Sequence, residues 1–187
     1  MSLIITRHGQ TDWNLQHKLQ GSSDIELNQK GIEQAEEVAT KLANEPIDLI
    51  ICSPLVRAKQ TAEVINRNRN IPIKYDSGIS ERDYGEFEGK NSADYNLSDF
   101  WNFYCNSKYQ GVENIKDFFK RVYDFLDRQA IEQQEKNILL VAHGGISIAT
   151  YCYFNGIPTN GDVLRLGLKN CEIAKYEFQR NINIEER

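Results

Sequence analysis

Three short apolar runs, far apart along the chain, most constrain its fold. They cover residues 3–6 (LIIT), 48–52 (DLIIC) and 138–142 (ILLVA). Continuous apolar runs are typical of strands that are buried on both faces of a parallel sheet. Residues 171–178 (CEIAKYEF) instead alternate with a period of two, which predicts an antiparallel edge strand with one face in water.

Helical patterns separate these runs. Apolar residues recur at helical spacing over residues 32–42, 55–65 and 115–126, and Asn28 is suited to cap the first of these helices. Strands that alternate with helices predict an α/β fold, here a three-layer sandwich. We expect a mostly parallel central sheet with one antiparallel edge strand and helices on both faces. No repeat or Gly/Ser-rich linker divides residues 1–187, which predicts a single domain.

The composition narrows the classes of function. The chain carries 22 Lys and Arg against 27 Asp and Glu, a formal net charge of −5. This balance disfavours a nucleic-acid partner, because phosphate backbones attract positive surfaces. No apolar run approaches the roughly 18 residues of a membrane helix, so no membrane partner is expected. Without a secretory pattern or a CxxC pair among the four cysteines, we expect a cytoplasmic protein with no disulfide framework.

One segment departs from the sandwich pattern. Residues 91–112 (NSADYNLSDFWNFYCNSKYQGV) contain six aromatic side chains, more than a plain surface loop carries. Two interpretations remain open. The segment is either a cap inserted over a site or a satellite core packed beneath a long insertion.

Basic residues and histidines follow the three predicted buried strands. Arg7 and His8 come after the first strand, Arg57 shortly after the second, and His143 and Gly144 after the third. Ligands of open α/β sheets bind outside the carboxyl ends of the strands. We therefore expect these residues to meet in one site at that edge of the sheet.

This set of residues suits phosphoryl transfer without a metal. The planar forks of Arg7 and Arg57 match the oxygens of a phosphate, and the helix start at Gly144 offers free N–H groups to an anion. A neutral imidazole is a competent nucleophile near pH 7. The two guanidinium groups would neutralise the charge that Mg²⁺ handles in other phosphoryl-transfer sites.

Each of these residues also has a structural explanation. A histidine next to a strand end often caps or hydrogen-bonds the core, and an arginine in a helix is usually solvated. His17 lies in a polar stretch, which indicates a surface position. No HExxH, HxH or Cys/His cluster is present, so we expect neither a metal nor a cofactor.

Four further patterns carry a family resemblance. Residues 7–14 read RHGQTDWN, residues 53–63 SPLVRAKQTAE, residues 81–89 ERDYGEFEG and residues 141–145 VAHGG. In this order they resemble the RHG(Q/E)(T/S)xxN signature, the SPLxRAxQTA helix, the ExxxGxxEG loop and the second histidine motif of the histidine phosphatase superfamily. Residues 19–21 (LQG), 27–31 (LNQKG) and 170–173 (NCEI) also resemble segments of this family. The resemblance is to its cofactor-dependent phosphoglycerate mutase-like branch, and it covers residues 3 to about 178.

The resemblance implies a hydrolase that cleaves a small phosphomonoester through a phosphohistidine. By this resemblance, His8 would attack phosphorus, while Arg7, Arg57 and His143 would clamp the phosphoryl oxygens. Glu81 would protonate the leaving oxygen and then activate water, since an alkoxide is a poor leaving group.

The same resemblance implies further binding residues. Asn14 would add a hydrogen bond to the phosphoryl oxygens, and Gln20 and Gly21 would line the pocket. Gly144 would present the helix N-terminus to the phosphate. Apart from the resemblance, Arg82 is a candidate contact for an anionic substrate because it is basic.

The branch and the substrate stay open at this point. The mutases carry a paired-arginine segment after the ExxxGxxEG loop, whereas residues 91–112 contain no arginine, which favours a phosphatase. A bisphosphoglycerate-dependent mutase remains the alternative, because residues 81–85 (ERDYG) also resemble the mutases' ERxYG loop. A third alternative is an inactive phosphate-ligand-binding module, although the complete set of site residues argues against it. A homodimer formed through the edge strand is a further possibility.

Overall fold

One sheet of five strands organises the part of the chain that the computed structural model describes, residues 2–105 and 109–178. The strands are β1 (Ser2–Arg7), β2 (Leu49–Cys52), β3 (Ile73–Tyr75), β4 (Asn137–Ala142) and β5 (Ile173–Glu177). Their order is β3-β2-β4-β1-β5, and only β5 runs antiparallel to its neighbour. The predicted mostly parallel sheet with one antiparallel edge strand is confirmed.

Helices cover both faces of this sheet. They are α1 (Asp12–Leu15), α2 (Gln29–Lys41), α3 (Val56–Asn66), α4 (Leu97–Phe100), α5 (Ile115–Glu132) and α6 (Gly144–Asn155). As predicted, Asn28 caps α2, because its side chain accepts a hydrogen bond from the Gly31 amide at 2.9 Å. Of the helices within the described ranges, none has the length and apolarity needed to cross a membrane.

The buried strands divide their side chains between two cores. Leu3 and Ile5 of β1 join a core with α5 and α6, while Ile4 points to the opposite core with α2 and α3. In β4, Leu139 and Val141 face the α2 and α3 side, and the remaining apolar side chains face the other. Because both faces are covered, the central residues of these strands are apolar, which is why the sequence shows continuous runs.

The short strand β3 was not predicted. It spans three residues at the sheet edge, and two of them, Lys74 and Tyr75, are exposed. A strand this short and polar carries neither a continuous apolar run nor a period-two alternation. Its place is set by pairing with β2.

The aromatic segment packs onto the α5 side of the sheet where the structure describes it, in residues 91–105 and 109–112. Phe100 and Trp101 are buried in the same core as Phe118 of α5. Phe100 stacks on Tyr109 with ring centroids 4.3 Å apart, and Trp101 meets Phe118 edge to face at 5.9 Å. This part of the segment is therefore continuous with the main core; residues 106–108 lie outside the described ranges.

Candidate active site

The ring of His8 lies just beyond the carboxyl end of β1, buried and held in one orientation. Its backbone amide donates to the Ala142 carbonyl at 2.9 Å, which ties it to the end of β4. Its ring Nδ1 lies 2.7 Å from the Gly9 carbonyl oxygen, so Nδ1 carries the proton and donates it there. Nε2 is therefore the basic nitrogen, and it accepts a hydrogen bond from Arg57 Nε at 3.2 Å.

The surroundings of His8 keep its imidazole neutral. Burial, followed by the positive charges of Arg57 and Arg7, lowers the pKa of His8 well below its usual range. A neutral ring keeps a lone pair on Nε2 at physiological pH. His8 therefore combines a fixed tautomer with an unprotonated Nε2, which is the state that a histidine nucleophile needs.

Arg57, in the first turn of α3, is fully buried and uses three of its N–H groups to stay beside His8. Nε points at the His8 ring, Nη1 donates to the Ser23 carbonyl at 2.7 Å, and Nη2 donates to the Gly21 carbonyl at 2.8 Å. Burial lowers the pKa of Arg57 to about 10, which leaves the guanidinium charged at neutral pH. A fixed, positively charged guanidinium thus faces Nε2 of His8.

Arg7 and His143 place further polar atoms around His8. Arg7 Nη1 donates to the Leu168 carbonyl at 3.1 Å, and His143 Nε2 lies 2.7 Å from Ser53 Oγ. The rings of His8 and His143 meet edge to face, with centroids 5.2 Å apart. Burial, then the charges of Arg57 and other neighbours, lowers the pKa of His143 well below its usual range.

Three buried polar atoms in this region have no hydrogen-bond partner among the described residues. They are Arg7 Nε, His143 Nδ1 and Gln20 Oε1. An unsatisfied buried polar atom costs about 1–3 kcal/mol, and such atoms are few in native proteins. Their concentration around His8 indicates a site that is built to be completed by a polar ligand.

The carboxylate of Glu81 faces the amino terminus of α6. Its Oε2 accepts from the Gly145 amide at 3.1 Å, and its Oε1 accepts from the Arg82 amide at 2.9 Å. A Cβ atom on residue 145 would lie 2.3 Å from Glu81 Oε1 and 2.7 Å from the Trp101 ring. Only glycine at this position lets the side chain of Glu81 reach the first turn of the helix.

These groups border one cavity of about 410 Å³ at the carboxyl ends of β1 and β4. Its charged lining consists of Arg7, Arg57 and Lys18 against the single carboxylate of Glu81. Positive charge therefore prevails, which suits an anionic substrate. No three or more His, Cys, Asp or Glu side chains in the described ranges are grouped closely enough to hold a metal ion.

The structure brings nearly all of the predicted site residues to this place. Arg7, His8, Arg57 and Glu81 line the cavity, and the remaining lining residues among those predicted are Asn14, Gln20, Gly21 and Gly144. His143 lies directly behind His8. Asn14 Oδ1 accepts from the Thr11 amide at 3.1 Å and from Asn170 Nδ2 at 3.2 Å, which anchors the α1 loop at the rim.

Arg82 is the exception, since its guanidinium turns away from the cavity. It donates to the carbonyl oxygens of Glu113, at 2.9 Å, and Phe100, and it lies over the rings of Tyr84 and Trp101. With 3% of its surface exposed, it is not a cavity residue. Neighbouring residues in an extended segment point to opposite sides, so an inward Glu81 places Arg82 outward.

Sequence reasoning missed an apolar wall of the cavity. It is formed by Tyr84, Leu97, Trp101, Ile148, Leu164 and Leu168. Leu97 and Trp101 come from the aromatic segment, so its aromatic content was the available signal. His17 was predicted to lie on the surface; it is exposed, and together with Lys18 it also borders the cavity.

Comparison with known proteins identifies a family for this chain. The family model described as "Histidine phosphatase superfamily (branch 1)" matches residues 3–184. The "Uncharacterized phosphatase PhoE" of Bacillus subtilis is 38% identical over 181 residues, 95% of this chain and 91% of that protein. The "Probable phosphoglycerate mutase GpmB" of Escherichia coli is 31% identical over 191 residues, covering 97% and 87% of the two chains.

A solved structure shares the fold. The crystal structure of the alpha-ribazole phosphatase from Shigella flexneri superposes with a TM-score of 0.85 at 26% sequence identity. The match covers 96% of this chain and 92% of that one. The relatives thus include both phosphatases and a probable mutase, and they indicate an enzyme of the phosphatase or mutase type.

Proposed function

The chain belongs to the histidine phosphatase superfamily, branch 1, and from this membership we propose that it hydrolyses phosphomonoesters without a metal, through a phosphohistidine on His8. The single observation that carries the proposal is the state of His8. Its Nδ1 proton is donated to the Gly9 carbonyl, so its unprotonated Nε2 points to the guanidinium of Arg57. The proposed nucleophile, His8 Nε2, and an anion-binding group, the Arg57 guanidinium, therefore lie within hydrogen-bond distance of each other.

The first step of the proposed reaction forms a phosphoenzyme. The lone pair of His8 Nε2 attacks phosphorus while the bond from phosphorus to the ester oxygen breaks. Glu81, in its acid form, gives its proton to the leaving oxygen, so that an alcohol departs instead of an alkoxide. Arg7 and Arg57 balance the charge on the phosphoryl oxygens during the transfer.

The second step releases phosphate. Glu81, now ionised, takes a proton from a water molecule as the water oxygen attacks phosphorus. The bond from phosphorus to Nε2 breaks, and its electron pair returns to His8. Each residue then regains its starting state, because the proton lost in the first step has been recovered in the second.

A phosphatase is favoured over a mutase by the wall that the aromatic segment contributes. This segment supplies Ser92, Leu97 and Trp101 to the cavity, and none of them is a cation. A mutase must hold the second acidic group of its substrate and exclude water from the phosphohistidine. An apolar wall fits the alcohol part of a small phosphorylated metabolite better than a second phosphate.

The test is hydrolysis of a phosphomonoester panel in excess EDTA, with His8→Ala beside the wild type. The panel contains p-nitrophenyl phosphate, sugar phosphates, phosphoserine, α-ribazole phosphate, and 3-phosphoglycerate with its bisphosphate primer. We expect phosphate release that EDTA does not abolish and that His8→Ala loses. An acid-labile phosphoenzyme should be trapped with the wild type alone.

Two other outcomes would contradict this proposal. Isomerisation of 3-phosphoglycerate with little phosphate release would identify a mutase instead. Binding of phosphate or vanadate without any turnover would favour an inactive phosphate-binding module.

A further inference from the structure

The carboxylate of Glu88 accepts five hydrogen bonds from three residues. Oε1 accepts from the Ser22 amide at 2.7 Å, from Ser22 Oγ at 3.1 Å and from the Tyr84 amide at 3.2 Å. Oε2 accepts from the Ser23 amide at 2.8 Å and from Ser23 Oγ. Both carboxylate oxygens act only as acceptors in this set, which is the behaviour of an ionised carboxylate.

The loop that Glu88 holds, residues 21–23, is the same loop that holds Arg57. The carbonyl oxygens of Gly21 and Ser23 accept from Arg57 Nη2 and Nη1. Gly21 has a φ of +51°, and a Cβ atom there would lie 2.0 Å from Glu88 Oε1. The loop is thus wrapped closely around the carboxylate, with its amides turned to Glu88 and its carbonyls turned to Arg57.

We propose that Glu88 is a positioning residue of the active site: through the 21–23 loop, its carboxylate fixes the guanidinium of Arg57 against His8. This inference rests on the proposed function, because it assigns Glu88 to the phosphoryl-binding machinery. Glu88 does not line the cavity and does not touch the substrate position. It acts on the reaction through Arg57.

Glu88 matters to Arg57 because a guanidinium must be held rigidly to bind phosphoryl oxygens in one geometry. Arg57 is aimed by two carbonyls and one imidazole nitrogen, and both carbonyls belong to the 21–23 loop. Without the Glu88 carboxylate, the amides of Ser22 and Ser23 lose their acceptor and the loop relaxes. A misplacement of about 1 Å in a catalytic group can cost roughly a hundredfold in rate.

The first experiment compares Glu88→Gln with a matched control, Glu86→Gln. Both changes remove one carboxylate from the same loop, but the side chain of Glu86 is 68% exposed and forms a 3.7 Å ion pair with Lys90. We expect Glu88→Gln to lose about tenfold to a hundredfold in kcat/KM. Glu86→Gln should stay within about twofold of the wild type. Equal values for the two variants would overturn the proposal.

The second experiment asks whether Glu88 acts through Arg57, using a double-mutant cycle with Arg57→Lys. A lysine cannot donate to both loop carbonyls and to His8 in the fork geometry. We expect the Glu88→Gln loss to shrink to less than about threefold in this background, because the two residues form one unit. An undiminished loss would show that Glu88 acts by another route.

Equilibrium binding of orthovanadate separates this inference from the proposed function. If the wild type binds vanadate but hydrolyses no ester, the proposed function fails, while the vanadate affinity of Glu88→Gln still decides the role of Glu88. We expect that affinity to fall about tenfold, and an unchanged affinity would contradict the proposal. Should Glu88→Gln fail to fold, Ser23→Ala, which removes one hydroxyl donor, replaces it in the same cycle.

Discussion

Replacing Glu81 by glutamine tests the acid that the proposed mechanism requires. The change keeps the shape of the side chain but removes the transferable proton. The carboxylate accepts from the Gly145 amide on one oxygen and from the Arg82 amide on the other. Since a glutamine amide has one oxygen, one of these two N–H groups loses its acceptor.

Two losses are expected for Glu81→Gln, one in kcat and one in the free energy of unfolding. Loss of a positioned general acid costs typically about 10²–10⁴ in kcat, equivalent to about 2.7–5.4 kcal/mol of activation free energy. Loss of one backbone hydrogen bond at the half-buried Glu81 carboxylate costs about 1 kcal/mol of unfolding free energy. For a chain of this size, that corresponds to a fall in Tm of about 2–4 °C. The variant should therefore be folded but slow.

The assay compares two leaving groups. An alkyl phosphate needs the proton from Glu81, whereas p-nitrophenolate departs readily without one. We expect kcat of Glu81→Gln to fall about 10²–10⁴-fold on the alkyl ester and less than about tenfold on p-nitrophenyl phosphate. Glu86→Gln serves as the control. An equal loss on both esters, or a kcat near that of the wild type, would refute the role of Glu81 as the acid.

Three further predictions concern His8, Gly145 and Arg82. The pKa values of His8 and His143 are lowered in the folded protein, so below about pH 6.5 the unfolded chain binds more protons. The free energy of unfolding should be highest above that pH and should fall as the pH drops, by up to about 1.4 kcal/mol per pH unit for each histidine. The Tm measured from pH 7.5 to 5.5 should therefore fall less steeply in His8→Gln than in the wild type. Gly145→Ala places a Cβ atom 2.3 Å from Glu81 Oε1, so kcat should fall at least about tenfold, and activity within twofold of the wild type would contradict the assigned position of Glu81. Arg82→Met leaves the carbonyls of Phe100 and Glu113 without their donor, so urea unfolding should show a loss of about 1–3 kcal/mol, while a raised KM at unchanged stability would restore Arg82 as a substrate contact.

The fold was predictable because its signals are local. Each buried strand is a continuous apolar run, and Asn28 caps α2 through a side-chain hydrogen bond to an amide three residues later. The short edge strand β3 escaped prediction because two of its three residues are exposed. Only pairing with β2 makes it a strand, and pairing is not visible in a local pattern.

The central site residues were predictable for a related reason. Arg7 is the last residue of β1, and His8 and His143 directly follow β1 and β4. Parallel strands deliver their carboxyl ends to one edge of the sheet. Once the strands are recognised, the meeting of these side chains follows from topology. The assignments of Asn14 and Glu81 instead rested on motifs, because neither residue follows a predicted strand.

By itself, the sequence determined the parallel sheet, the sheet edge at which the candidate site lies and the family of the chain. Only the tertiary structure decided which neighbours face the cavity. It turned Arg82 away beside an inward Glu81, and it brought Trp101 from the aromatic segment to the helix start at Gly145. Periodicity and motifs act over a few residues, whereas the direction of a loop side chain is set by contacts with segments distant along the chain.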